Sequence, residues 1–356
     1  MEIKGKAIVL TNGVYNTKSA KTAHGLVRGS SKFDILGIVD NKFYDNDAGE
    51  LLDGKYRNIP IYQSLSSFLN LKINIDYCII GVASAGGVLP ERMRSDIILS
   101  LKNNISIING LHSFLEDDPE ISNIAKTNNI KIHDIRKSRK RSLLSFWSGK
   151  INQVKCPKIV VMGTDCGLGK RTTAKLIVES LRTNSYKAEM IYTGQTGWMQ
   201  GWKYGFILDS THNDFVSGEL EKMIFDCYKI ENPDFILIEG QAALRNPSGP
   251  CGSEFLISCD VDAVVLQHST KREYFDGWKD VGCKMPSLKS EVELINMYGK
   301  QVVGISLNTS GMTDDEKIKT KKDLNKELKI PIVLPIEDGV DDLMPNILKL
   351  KKKYDN

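Results

Sequence analysis

The sequence lacks the features that would send it to a membrane, a nucleic acid or an oxidising compartment. No apolar run approaches the ~20 residues that a helix needs to cross a bilayer, and Met1-Glu2-Ile3-Lys4 opens no signal peptide. The formal net charge over 356 residues is only +4, too small a surplus to point to nucleic acid. The seven cysteines include no C-x2-C pair, which argues against a zinc site, and their odd, scattered set argues against a disulfide framework. Internal repeats and low-complexity segments are missing as well. The expectation is a soluble, cytoplasmic protein with reduced thiols, no membrane or nucleic-acid partner and no resident metal. A dinucleotide fingerprint is also absent: Asn12-Gly13-Val14-Tyr15-Asn16-Thr17 stands where Gly-x-Gly-x-x-Gly would be needed. Asp40, which closes the second predicted strand, therefore reads as a turn residue rather than a ribose ligand.

What is present is an ordinary globular composition, 41% hydrophobic and 26% charged, in a chain long enough for two cores. Apolar runs at Lys6–Thr11, Phe33–Val39, Tyr77–Ala83 and Ile105–Ile108 predict strands, with helices over Lys18–Arg28 and from Pro90 to Leu101. Strands alternating with helices make residues 1–150 a Rossmann-like domain. Its end carries the basic run Arg136-Lys-Ser-Arg-Lys-Arg141, read as a solvated linker face. Residues 151–356 should form a second domain. Its strands are predicted at Lys158–Met162, Ala188–Thr193, Asp234–Glu239, Ala263–His268, Gln301–Leu307 and Ile332–Leu334, its helices at Asn213–Lys229 and Thr313–Leu328. The fold class is α/β: two doubly wound parallel-sheet domains, Rossmann-like followed by P-loop NTPase-like.

The sharpest signal opens the second domain. An apolar strand feeds Gly163-Thr-Asp-Cys-Gly-Leu-Gly-Lys-Arg-Thr-Thr173, and a helical pattern follows. Glycine-rich loops of this kind wrap backbone N–H groups around a phosphate, with a helix N-terminus and a lysine facing it. Gly163, Thr164, Asp165, Cys166, Gly167, Gly169, Lys170, Arg171, Thr172 and Thr173 are thus the phosphate-contacting candidates. Arg171 stands where a nucleotide hydrolase keeps the Ser or Thr that holds magnesium. The loop accordingly predicts a phosphorylated ligand more strongly than ATP hydrolysis. Cys166 is either a small loop residue or a thiol activated by the helix terminus and Lys170.

Ligands of open α/β sheets lie at the carboxyl ends of the strands. There the sequence delivers Gly194-Gln195-Thr196-Gly197-Trp198, Asp209, Asp214, Glu239-Gly240-Gln241 and His268. Glu239, at the tip of an apolar strand, is a base candidate or a cap residue; His268 is a base candidate or a packed strand end. Trp198 is a platform for a ligand or a lid residue. Backbone N–H groups of Gly194–Gly197 could stabilise an oxyanion, and Arg245, Lys271 or Arg272 could receive an acceptor carboxylate.

These motifs, taken in order with Asp214-Phe-Val-Ser-Gly-Glu219 and Ile238-Glu-Gly-Gln241, resemble the bacterial family named for D-glutamate N-acetyltransferase, long catalogued as a domain of unknown function. Lys21-Thr-Ala-His-Gly-Leu-Val-Arg28, Gly81-Val-Ala-Ser-Ala-Gly-Gly87, Gly110-Leu-His-Ser-Phe-Leu115 and Asp134-Ile-Arg136 extend the resemblance over nearly the whole chain. It implies a Rossmann-like domain followed by a P-loop domain similar to dethiobiotin synthetase, and acetyl transfer from acetyl-CoA to the amino group of a D-glutamate-like amino acid. On that expectation Glu239, His268 and Asp214 are catalytic candidates, and Gln195, Thr196, Gly197, Trp198, Gln241 and Arg245 line a small-molecule amino-acid substrate. The alternative is an ATP- and magnesium-dependent ligase or kinase, with Thr172, Asp209 or Asp214, and Glu239 holding the metal. A homo-oligomer is the expectation for an enzyme of this size.

Overall fold

The computed structural model describes residues 3–355 and separates into two compact units. One comprises the chain up to Ser138 together with Gln195–Trp202; the other comprises Arg139–Gly194 and the chain from Lys203 onward.

The first unit holds β1 (Gly5–Leu10), β2 (Phe33–Val39), β3 (Ile61–Tyr62), β4 (Tyr77–Ile80), β5 (Ser106–Asn109) and β6 (Ile132–Asp134). Their order is β3-β2-β1-β4-β5-β6, with every pair parallel. Parallel strands are buried on both faces, and the two-residue period of a strand divides the core accordingly. Ile8, Leu10, Cys78 and Ile80 enter one apolar cluster, Ala7, Val9 and Ile79 the other. Asp40 is fully buried and accepts hydrogen bonds from Thr11 Oγ1 (2.8 Å), Gly13 N (2.8 Å) and Tyr15 N (3.0 Å). It clamps the turn after β1, as its strand-end position suggested.

Lys137–Arg141 of the basic run are exposed, as expected of a solvated face, but its first residue is not. Arg136 is buried and donates to Gly110 O (2.7 Å) and Gln195 Oε1 (2.8 Å). Arg139 pairs with Glu219, which is fully buried.

The second unit carries β7 (Lys158–Gly163), β8 (Ala188–Tyr192), β9 (Tyr204–Gly205), β10 (Phe235–Glu239), β11 (Ala263–His268), β12 (Gln301–Leu307) and β13 (Ile332–Val333). They form one parallel sheet in the order β13-β12-β11-β7-β10-β8-β9. The two-domain doubly wound α/β reading is borne out. β7 lies between β10 and β11, so the carboxyl ends of β10 and β11 flank whatever follows β7.

Ahead of β7, residues 139–151 form a strap seated on the helix Asn213–Glu231. Glu219 accepts from Ser145 N (2.8 Å), and Glu221 accepts from Ser148 N (2.6 Å), Ser148 Oγ (2.7 Å) and Ile151 N (3.1 Å). Gly218 permits the close approach, because a Cβ there would collide with the Ser145 carbonyl. The Asp214–Glu219 motif is explained by this seat: Phe215 stacks on Phe146 with centroids 4.5 Å apart.

Candidate phosphate-binding site

Every residue of β7 is buried, and the strand delivers Gly163 to the sheet edge. The loop that follows turns at Gly167 (φ 65°) and Gly169 (φ 111°), conformations that glycine adopts without Cβ strain. Lys170 then starts the helix Lys170–Thr183, whose first N–H groups and dipole favour an anion. A Cβ on Gly163 would stand 3.0 Å from Lys170 Nζ, so the glycine leaves room for the ammonium. That ammonium donates to the carbonyls of Asp165 (2.7 Å) and Ala242 (2.9 Å).

Polar residues at the neighbouring strand ends staple the loop in place. Thr164 N donates to Gln267 O (3.0 Å), and Thr164 Oγ1 bonds His268 Nδ1 (2.9 Å). Thr173 Oγ1 donates to Gln267 Oε1 (2.6 Å) and lies 3.0 Å from Ser306 Oγ. Asn308 Nδ2 donates to Leu168 O (3.0 Å). Asp165 is the hub. Fully buried, its Oδ1 accepts from Cys166 N (2.7 Å) and Asn246 Nδ2 (2.9 Å), its Oδ2 from Arg272 (2.7 Å) and Asp276 N (2.8 Å). One carboxylate thereby draws the loops after β10 and β11 onto the phosphate loop.

Glu239 ends β10, paired in register with Val161 on β7. It is buried; its Oε2 accepts from Thr193 N (3.1 Å) and its Oε1 lies 3.8 Å from the Arg171 guanidinium. Gln241 Nε2 donates to Thr193 Oγ1 (2.9 Å), which itself donates to Glu239 O (2.6 Å). Loop, Arg171, Glu239 and Gln241 therefore do converge.

Two family models match the chain: "Domain of unknown function (DUF1611_C) P-loop domain" over residues 145–344, and "Domain of unknown function (DUF1611_N) Rossmann-like domain" over residues 42–138. The chain belongs to the DUF1611 family. It is 28% identical over 283 residues to a D-glutamate N-acetyltransferase of a Pseudoalteromonas species, covering 78% of this chain and 82% of that one. It is 27% identical over 273 residues to a protein of the same name from Tritonibacter scottomollicae, covering 75% and 79%. The crystal structure of a DUF1611 family protein from Anabaena variabilis superposes with a TM-score of 0.87 at 24% identity, covering 97% of this chain and all of that one. That likeness speaks for the fold.

Other candidates of this DUF1611 chain have contacts of their own or are exposed. The Gly194–Trp198 segment, expected as a loop of the second domain, is the helix Gln195–Gln200 of the first unit. Thr196 bonds Thr22 (3.3 Å) and Gln200 donates to Gly25 O (2.8 Å). Trp198 packs towards Phe33, with the Lys32 ammonium 3.6 Å from its ring centroid. Gly197 is buried in the first turn of that helix. Burial holds the His268 imidazole down at about 4, so it is neutral at neutral pH, and its Nδ1 is committed to Thr164. Arg245 donates to Glu291 (2.6 Å) and Ser290 (2.8 Å), Lys271 to Glu316 (2.6 Å) and Arg272 to Asp165. Asp214 is exposed in the first turn of its helix, and Asp209 is exposed on the turn Leu208–Ser210. Among the described residues no three His, Cys, Asp or Glu side chains are grouped to hold a metal. Sequence reasoning overlooked Gln267, Ser306, Asn308 and Asn246. The available signal was a polar residue near the end of an otherwise apolar strand, which holds for Gln267 and Ser306.

Proposed function

We propose that this chain is an N-acetyltransferase that moves an acetyl group from acetyl-CoA to the amine of an acidic amino acid of the D-glutamate type. The two relatives of that name support the reaction class. The observation that carries it in this chain is Arg171 beside Glu239, 3.8 Å apart, directly after the phosphate-loop lysine. In a nucleotide hydrolase the hydroxyl after the lysine and a strand-end carboxylate serve magnesium. Here a permanent cation already accompanies the carboxylate, which suits phosphates held without a metal.

When bound, acetyl-CoA supplies its acetyl group as a reactive thioester. The loop N–H groups, Lys170 and Arg171 would hold its phosphates. Glu239 would take a proton from the acceptor ammonium so that the amine can attack, with Thr193 fixing the carboxylate. Glu239 is the better-placed base candidate, because its Oε1 faces Arg171 beside the loop, whereas His268 Nδ1 is occupied by Thr164. Release of CoA thiol in the presence of D-glutamate and other acidic amino acids tests the reading. Glu239→Gln should lower turnover by ~10²–10⁴ while leaving acetyl-CoA affinity nearly unchanged. Product formation that depends on ATP and magnesium would favour a ligase or kinase instead.

A further inference from the structure

The exposed apolar side chains of the second unit include Leu143 (63% exposed), Phe146 (66%), Trp147 (49%) and Ile257 (63%). Contacts join Phe146, Trp147 and Ile257 into one patch, and Leu143 lies three residues before Phe146 on the same strap. Phe146 stacks on Phe215, and the Trp147 indole donates to Ser258 O (3.0 Å), beside Ile257. Ser258 Oγ in turn donates to Ser217 Oγ (2.9 Å), on the helix that carries Phe215. The strap that presents Leu143, Phe146 and Trp147 is no loose linker. Two buried carboxylates, Glu219 and Glu221, accept five hydrogen bonds from it, and Gly218 lets its backbone seat on the helix. Ordering exposed apolar groups before they meet a partner lowers the entropy lost on association.

Area and charge select the occupant. The four side chains expose on the order of 400 Å² of apolar surface, at the size where exposed patches signal an interaction site. That is about the apolar share of the ~800 Å² that each partner contributes to a stable interface. Exposed Lys140 and Arg141 precede Leu143, whereas exposed Asp214 precedes Phe215. A patch carrying both signs can be self-complementary: a two-fold arrangement can set Arg141 of one copy against Asp214 of the partner subunit. An anionic lipid surface would favour a rim of basic residues alone, and the aliphatic Leu143 and Ile257 do not suit base stacking. We propose that this patch is an isologous interface with a second copy of the chain.

Sedimentation velocity on the full chain at micromolar concentration tests it. The wild type should be a dimer or an even-numbered assembly, and Phe146→Glu and Trp147→Glu should each weaken self-association by at least roughly 30-fold, halving the mass. Ile230→Glu, an equally exposed apolar site (65%) at the far end of the same helix, should leave the mass unchanged. All three positions are exposed, so circular dichroism should match the wild type. A monomeric wild type overturns the proposal, as does an assembly that survives both patch variants. So does a monomer that binds phosphatidylserine vesicles through Trp147, because the patch would then serve a lipid surface.

Discussion

Asp165→Asn is nearly isosteric, yet it should disrupt the hub of the site. The carboxylate accepts four hydrogen bonds, two on each oxygen, and two of them come from Arg272 and the Asp276 N–H at 2.7 and 2.8 Å. An amide offers one oxygen. Whichever way it turns, two donors lose their acceptor and meet an N–H₂ group instead. A lost hydrogen bond to a charged group costs ~1.5–3 kcal/mol and a neutral one ~1 kcal/mol. The Arg272 side chain is 23% exposed, so water recovers part of the loss and the cost stays below the 3–5 kcal/mol of a fully buried broken pair. The expected destabilisation of the second unit is ~2–4 kcal/mol, or roughly 5–15 °C in Tm for a unit of this size. Urea unfolding of Asp165→Asn, Arg272→Gln and the double variant should give a coupling of ~1–3 kcal/mol. A loss below ~0.5 kcal/mol, or strictly additive variants, would refute the claim that this carboxylate holds the two loops to the phosphate loop.

Two further outcomes follow from the same geometry. His268 titrates at about 4 in the fold against an ordinary 6.5, so between those values the unfolded chain binds a proton that the native state does not. Its contribution is fully present above pH ~6.5 and is lost as pH falls towards ~4, a total of ~3 kcal/mol; His268→Gln should flatten that part of the stability–pH curve, and an unaltered slope would contradict the burial argument. Gly218→Ala should cost ~1–3 kcal/mol, because its Cβ drives the Ser145 carbonyl off the helix. Faster hydrogen exchange over residues 141–150 would report the released strap, and unchanged exchange would mean that it is not seated there.

Much of the architecture could be read from the chain because parallel strands are continuous apolar runs. Phe33–Val39, Ala263–His268 and Gln301–Leu307 occur with the predicted bounds. The edge strands Ile61–Tyr62 and Tyr204–Gly205 escaped because two residues carry no period. The Gln195–Gln200 helix escaped because a glycine and a short span resemble a turn. What fixes it is tertiary: Thr22, Gly25 and Arg136 lie 59 or more residues away in sequence. The same limit applies to the basic side chains. Sequence marks Arg245 and Arg272 as anion binders, and their anions are Glu291 and Asp165, 46 and 107 residues distant. The phosphate loop was legible for the opposite reason, since its glycines, lysine and helix start are all local.

Isothermal titration of acetyl-CoA into the wild type and Lys170→Ala, both in EDTA, tests most directly whether the loop holds an acyl-CoA without a metal. Binding should persist in EDTA and weaken ~10- to 150-fold in the variant, the equivalent of ~1.5–3 kcal/mol for a charge-assisted contact. Equal affinity in the two proteins, or no acetyl-CoA binding alongside tight magnesium-dependent ATP binding, would contradict the account.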